Sequence, residues 1–238
     1  MASLSSSSPL RRLRMMNLSL IGPPGSGKGS YGKRLATALG MPLVSVSSVL
    51  KNANVNVGTG KLVDDDVVSH LLNEHLSKNN VHMKDGCILD GYPRTLAQLK
   101  GPVKVHAAIH LNVPREVCRP KLLGRRACLT CGGNWNVAHV QHGPYHLPPS
   151  LPQNCANCTN GGEKNWTTRD DDVEAIVNDR LDTFYTMTEP ILHHYEAKGK
   201  LFRFSPFRGY DDLPRFESAL KEWLGRVGTM DMATTVVT

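Results

Sequence analysis

Gly22, Gly27 and Lys28 stand at the spacing G-x-x-x-x-G-K inside Leu18-Ser19-Leu20-Ile21-Gly22-Pro23-Pro24-Gly25-Ser26-Gly27-Lys28-Gly29-Ser30, the pattern of a loop that cradles phosphates. Glycines let backbone N–H groups converge, and a helix starting there adds its positive dipole end. Lys28 would bring a point charge to the β- and γ-phosphates. Gly29 stands where the general pattern has a hydroxyl, which comes one residue later at Ser30. The bland alternative is a glycine-rich turn that only joins a strand to a helix. It leaves a lysine at the helix start without a packing reason.

Two further groups of residues could do chemistry. Cys128-x-x-Cys131 and Cys155-x-x-Cys158, with 23 residues between the pairs, supply four thiolates of the kind that close a tetrahedral structural Zn²⁺ site. The interval is slightly longer than in most ribbons, and a redox dithiol is the competing reading of each pair. The cations Arg94, Lys121, Arg125, Arg126, Arg169 and Arg180 suit phosphoryl transfer, which needs charge stabilisation more than a protein nucleophile. Any one of them alone would read as a solvated surface charge. Arg94 differs, because it follows Asp90-Gly91-Tyr92-Pro93 at the end of the apolar run Cys87-Ile88-Leu89. Asp90 at a strand end fits a carboxylate that holds Mg²⁺ directly or through water.

The elements that must position these groups alternate. Leu18–Ile21, Pro42–Val46, Cys87–Leu89 and Leu201–Phe204 read as strands, and so does Val105–Val113, whose alternation suggests partial exposure. Helices are expected over Tyr31–Leu39, Val63–Leu76, Pro114–Leu123 and Leu213–Leu224, and from Asp170 onward with an interruption at Pro190. Ser47 or Ser48 could cap a helix after the second strand. Asp64-Asp65-Asp66 reads as dipole compensation at a helix start, and Asn52–Gly60 as a loop. This order predicts an α/β fold with a parallel sheet, whose strand tips after Ile21, Val44 and Leu89 would surround one crevice. Residues 127–166 break the pattern and read as a small insert too short to bury a core, so that metal binding would supply its folding energy.

Composition narrows the classes. The net charge of +7 is front-loaded: residues 1–63 carry eight Lys or Arg and no acid, and 28 basic residues less those eight leave 20 against 21 acidic ones. A diffuse basic face for a polynucleotide is therefore not expected, and no apolar run approaches the roughly 18 residues of a membrane span. Cys87 and Cys118 read as small buried hydrophobes. MASLSSSSPLRRLR, residues 1–14, has the composition of a mitochondrial or chloroplast transit peptide. The alternative is a disordered tail ahead of a start at Met15 or Met16, and then a cytoplasmic protein.

G-P-P-G-S-G-K-G-S, D-G-Y-P-R-T with Gln98, G-R-R before the cysteines, and T-R-D-D-D with Arg180 resemble, in combination and order, the adenylate kinase family from Met16 to about Leu224. GRRACLTCGGNWNVAH looks most like the zinc-type lids of plant and algal organellar members. The resemblance implies a P-loop three-layer α/β/α core with a five-stranded parallel sheet, an inserted zinc-ribbon-like lid and a mobile arm for the monophosphate. It implies that Gly25, Ser26, Gly27, Lys28, Gly29 and Ser30 cradle ATP phosphates, and that Arg125 and Arg169 come from the lid and its hinge. Arg94 and Arg180 would hold the transferring phosphoryl group and the acceptor phosphate. Gly91, Tyr92, Pro93, Arg94 and Gln98 would face AMP, with backbone at Lys61, Leu62 and Val63. Cys128, Cys131, Cys155 and Cys158 would hold structural Zn²⁺, and Mg²⁺ would accompany ATP.

Departures fall on the acceptor side. Where the family has S-T-G-D-x-L-R, this chain has Ser45-Val46-Ser47-Ser48-Val49-Leu50-Lys51, so Val46 removes a hydroxyl, Ser48 a carboxylate, and Lys51 replaces an arginine's bidentate fork. Lys121 likewise stands where many relatives have arginine, and the arm between Lys51 and Lys61 is short. The expected organisation is a core over 15–126 and 167–226 with a shortened arm at 45–63, a lid over 127–166 and a tail over 227–238. The expected activity is monomeric, Mg²⁺-dependent transfer from ATP to AMP, without nucleic acid or membrane partners. A kinase for another nucleoside monophosphate, a nucleotide-binding partner protein with weakened catalysis, and a zinc ribbon for nucleic acid are the alternatives.

Overall fold

The structure is a computed structural model and describes residues 16–56, 61–79, 81, 86–152 and 165–234. Five parallel strands form the central sheet: β1 (Leu18–Ile21), β2 (Leu43–Ser45), β3 (Ile88–Asp90), β4 (Ala107–Leu111) and β10 (Leu201–Phe204), in the order β10-β4-β1-β3-β2. Parallel pairing sets Leu18 opposite both Ile88 and Ala107, so the tips of β1, β3 and β4 end side by side. Strand β1, apolar but for Ser19, is wholly buried because helices cover both faces of such a sheet. The same position explains β4. Its alternation suggested an exposed face, yet all five residues, His110 included, are buried between β1 and β10.

Helices α1 (Lys28–Leu39), α2 (Val46–Asn52), α3 (Asp65–Lys78), α4 (Arg115–Leu123), α5 (Glu174–Thr183), α6 (Pro190–Ala197) and α7 (Leu213–Thr234) complete the core. Tyr31, Leu35 and Leu39 of α1 join Phe202, Phe204, Phe216 and Trp223 on one face of the sheet. On another, α2 and α3 bury Val46, Val49, Leu50, Val68 and Leu72 against Leu89 and Tyr92. Helix α2 starts one or two residues before the expected serine caps: Ser45 is the N-cap without a side-chain bond, and Ser47 and Ser48 lie inside the helix. Asn54, with φ 58°, ends it, and the Val55 N–H returns to the Leu50 carbonyl at 2.9 Å. Of the expected loop over 52–60, residues 57–60 lie outside the described residues.

Between α5 and α6 the chain makes a π turn over Phe184–Thr188, with Glu189 N–H on the Phe184 carbonyl at 2.8 Å. Pro190 has no N–H and its ring crowds the carbonyl four residues back, so the helix loosens one turn rather than breaking. Helix α7 continues to Thr234, ten residues past the expected Leu224, through a stretch without proline.

The insert holds two small sheets. One is β5 (Arg125–Cys128), flanked by β6 (Asn134–Asn136) and β9 (Trp166–Thr167). The other is a hairpin of β7 (Val140–His142) and β8 (Tyr145–Leu147). Val140, Tyr145 and Leu147 of the hairpin share one buried cluster with Val113, Val117, Leu122, Val177 and Leu181. Tyr145 Oη donates to the Asn112 carbonyl at 2.8 Å, and His146 N–H to the Phe207 carbonyl at 2.8 Å. Among the described residues no helix is long and apolar enough to cross a membrane.

Candidate functional site

The glycine-rich loop turns tightly between β1 and α1. Ser26 N–H donates to the Pro23 carbonyl at 3.1 Å, and Ser30 and Tyr31 N–H to the Gly27 carbonyl at 2.9 and 3.0 Å. Gly25 is required twice over: its φ is +86°, and a Cβ there would stand 2.7 Å from the Cys118 carbonyl oxygen. The Ser26 hydroxyl is buried and makes no hydrogen bond, an unspent donor inside the cradle. The Lys28 ammonium folds back along the loop to the Gly22 and Pro23 carbonyls at 2.6 and 3.0 Å. Burial pushes its pKa down to about 8, Asp90 pulls it up, and Arg94 and Arg180 lower it. Ser30 Oγ lies 2.8 Å from the hydroxyl of Tyr210, an exposed ring beside the loop.

The tip of β3 meets this loop. Asp90 Oδ2 is 4.0 Å from where a Cβ on Gly29 would stand, so the carboxylate faces the first turn of α1. After it come Gly91 (φ +88°) and a cis Tyr92-Pro93 bond. A Cβ on Gly91 would stand 2.7 Å from Arg94 Nη2, and in that space Arg94 Nε donates to the Gly91 carbonyl at 3.0 Å. Burial lowers the Arg94 pKa, Asp90 opposes this, and Arg180 adds to it. Ser19 Oγ on β1 donates to the Tyr92 carbonyl at 2.6 Å, and Thr188 Oγ1 in the π turn to the Arg94 carbonyl at 3.0 Å. Lys28 and Arg94 thus both feel the charges of Asp90 and Arg180, which places the four groups around one site.

A second group of cations is held by two acids, Asp171 and Asp172. The Asp172 carboxylate, wholly buried, accepts from Arg125 Nε and Nη2 at 2.8 and 2.6 Å and from Arg180 Nη1 at 3.4 Å. Asp171 holds Arg180 Nη1 at 2.9 Å. The sequence signal for this pair is its place in the T-R-D-D-D run. Arg169 is exposed and its Nη2 donates to Asn134 Oδ1 at 3.2 Å. Arg126 turns away, to the Leu123 and Arg125 carbonyls at 2.9 and 2.8 Å. Lys121 is half-buried and burial lowers its pKa.

On the arm, Lys51 and Lys61 are exposed and Leu62 and Val63 half-buried, while Val46 packs in the core and Ser48 faces solvent. Gln98 is tied to the backbone of Arg94: its Oε1 accepts the Arg94 N–H at 2.7 Å. A cavity of about 560 Å³ lies at the ends of β4 and β10, among His110, Asn112, Tyr185 and Phe207, and shares only Pro23 with the phosphate loop.

Cys128 and Cys131 form a tight knuckle. Thr130 and Cys131 N–H point at Cys128 Sγ at 3.3 and 3.5 Å, and Gly133 N–H at Cys131 Sγ at 3.4 Å. Such N–H groups favour thiolates, so the knuckle fits half of a tetrahedral metal site. Cys155 and Cys158 lie outside the described residues, and among those described no group of three potential ligands converges. Beside Cys128, Trp135 and Trp166 meet edge to face at 5.7 Å.

The sequence is similar to those of known proteins. The family model described as adenylate kinase matches residues 20–200. The chain is 35% identical over 205 residues to "Probable adenylate kinase 6, chloroplastic" of Oryza sativa subsp. japonica, covering 78% of this chain and 70% of that one. It is 34% identical over 217 residues to "Adenylate kinase" of Thermodesulfovibrio yellowstonii, covering 83% and 95%. To "GTP:AMP phosphotransferase" of Plasmodium falciparum it is 32% identical over 222 residues, covering 86% and 96%.

Proposed function

The chain belongs to the adenylate kinase family, and from that premise we propose that it moves the γ-phosphoryl group of ATP reversibly to AMP, giving two ADP. The observation that carries this reading is the meeting of the phosphate loop with the Asp90–Arg94 segment at adjacent strand tips. The loop amides from Gly25 to Ser30, with the Ser26 hydroxyl and Lys28, bind the donor phosphates. Arg94 and Arg180 grip the transferring group and the acceptor phosphate, and Arg125 and Arg169 add charge from the insert side. Charge placed in advance on the equatorial oxygens lowers the barrier without a protein nucleophile. Mg²⁺, when bound with ATP, supplies further neutralisation, and Asp90 is the residue suited to hold it. Gly91 to Arg94 and Gln98, with Lys51 and the backbone at Lys61 to Val63, take the acceptor side.

Transfer measured with ATP against AMP, GMP, CMP and UMP tests this reading, with GTP as a second donor. Diphosphate from AMP is expected, and none from any acceptor refutes it. A second acceptor reading has one specific support: Val46 is buried and Lys51 stands exposed without a guanidinium fork, so a monophosphate other than AMP would lead the panel. For the insert we propose one structural Zn²⁺ on Cys128, Cys131, Cys155 and Cys158. Metal analysis should return about one zinc per chain, and a metal-free, fully folded protein would remove the assignment. Chloroplastic relatives and the acid-free first 14 residues support an organellar destination, which a fluorescent fusion with and without residues 1–14 would test.

A further inference from the structure

Three aspartates open α3, and they do different things. Asp64 is the cap: its Oδ1 accepts from Asp66 and Val67 N–H at 2.9 and 3.3 Å. Asp66 faces solvent. Asp65 instead reaches the loop after β3, where its Oδ2 accepts from Thr95 Oγ1 at 2.9 Å and its Oδ1 from Gln98 Nε2 at 2.7 Å. Thr95 and Gln98 are both buried. Thr95 Oγ1 also accepts the Gln98 N–H at 3.2 Å, so the three residues form one closed set.

The consequence lies in the Gln98 amide. Its nitrogen end faces a carboxylate, which only accepts, and its oxygen end faces the Arg94 N–H, which only donates. A flipped amide would set donor against donor and acceptor against acceptor, so one orientation is fixed from both ends. After these two bonds the amide retains one N–H and one lone pair. An amino-substituted base, with an exocyclic N–H beside a ring nitrogen acceptor, matches that edge in one orientation of the amide. A 6-oxopurine, with a carbonyl beside a ring N–H, needs the reverse order.

We propose that Asp65 is a positioning residue that sets acceptor-base specificity: by holding the Gln98 amide in one orientation it favours a 6-aminopurine over a 6-oxopurine monophosphate. This rests on the reading of Gly91 to Gln98 as the acceptor side and of AMP as the acceptor, which decides that the fixed orientation is the one matching an amino-substituted base. It also gives the acidic run a member with a task other than dipole compensation.

The test compares AMP with IMP as acceptors, with ATP and Mg²⁺ saturating, for the wild-type chain, Asp65→Ala and Asp65→Asn. In D65A the preference for AMP over IMP, as a ratio of kcat/KM, should fall about tenfold, mainly through KM for AMP, because a buried polar group has lost its partner. KM for ATP should not move. Asparagine keeps an acceptor oxygen for Gln98 Nε2, so D65N should restore most of the ratio. If D65A does not fold, Asp65→Ser carries the same expectation, since serine suits a helix's first turn but cannot reach Gln98. A folded D65A or D65S with the wild-type ratio overturns the proposal, as does a wild type that uses AMP and IMP equally. A wild type that transfers to neither acceptor overturns the reading of the loop itself.

Discussion

Replacing Asp172 by asparagine should cost both stability and turnover, and the structure sets the scale. The carboxylate is completely buried and is shared by Arg125 and Arg180, whose side chains are 22% and 21% exposed. The asparagine side chain would keep the volume but turn an N–H group toward guanidinium N–H groups, leaving donors opposed and a charge uncompensated. Breaking a fully buried pair costs about 3–5 kcal/mol. Here each arginine keeps some contact with water, which takes up part of the loss, so about 2–3 kcal/mol is expected. For a chain of this size that lowers Tm by roughly 4–12 °C. In the proposed function Arg180 grips the phosphates and Arg125 adds charge from the insert side, so losing their common anchor should reduce kcat/KM for AMP by about 10- to 100-fold. Differential scanning calorimetry and a coupled ADP assay read the two effects on one preparation. A Tm within about 1 °C of wild type, together with wild-type kcat/KM, would refute the clamp.

Other substitutions and conditions address separate parts of the site. Lys28 titrates near 8 in the free protein, so ATP affinity measured by calorimetry should weaken as pH rises from 8 to 10; a flat profile, or the same profile for Lys28→Arg, would contradict this. Gly25→Ala places a methyl 2.7 Å from the Cys118 carbonyl at a φ of +86°, so ATP affinity should drop at least tenfold, and unchanged affinity by calorimetry would count against the loop geometry. His110 is 2% exposed, and burial, with Arg203 and Lys28, pushes its pKa down to about 4. The unfolded chain therefore binds the proton first: stability is full above pH 6.5 and falls by about 3 kcal/mol as pH drops toward 4. Urea midpoints in that window should decline less for a folded His110→Asn variant.

What could be read from the sequence was what local spacing encodes. Gly22 to Ser30 and Asp90 to Arg94 each carry their geometry within a few residues, and the alternation of strands and helices fixes where their tips meet. What could not be read depended on distant partners. Strand β4 looked half exposed because His110 breaks its apolar run, and only its place between β1 and β10 buries both faces. Asp65 sits in an acidic run that helix dipoles explain well enough, and its real partners lie some thirty residues away. Asp171 and Asp172 sat in plain view after Arg169, but nothing local says that one carboxylate serves arginines on two elements. The hairpin did leave a signal in Val140, Tyr145 and Leu147 around His142-Gly143-Pro144.

The β7–β8 hairpin has a mechanical meaning for the insert. The insert leaves the core after Gly124 and returns before Thr168, and two crossings alone would let it swing as a flap. This flap also has a strut. Its β5–β6–β9 sheet runs into the hairpin past the Asn136–Ser150 bridge, and the hairpin is keyed into the core by three buried side chains. Pulling those out would cost several kcal/mol at about 1.5–3 kcal/mol each, far more than flexing the few residues around Ala138 and Pro149. The cheapest motion of the sheet is therefore a short one about those two segments, with the hairpin left in place.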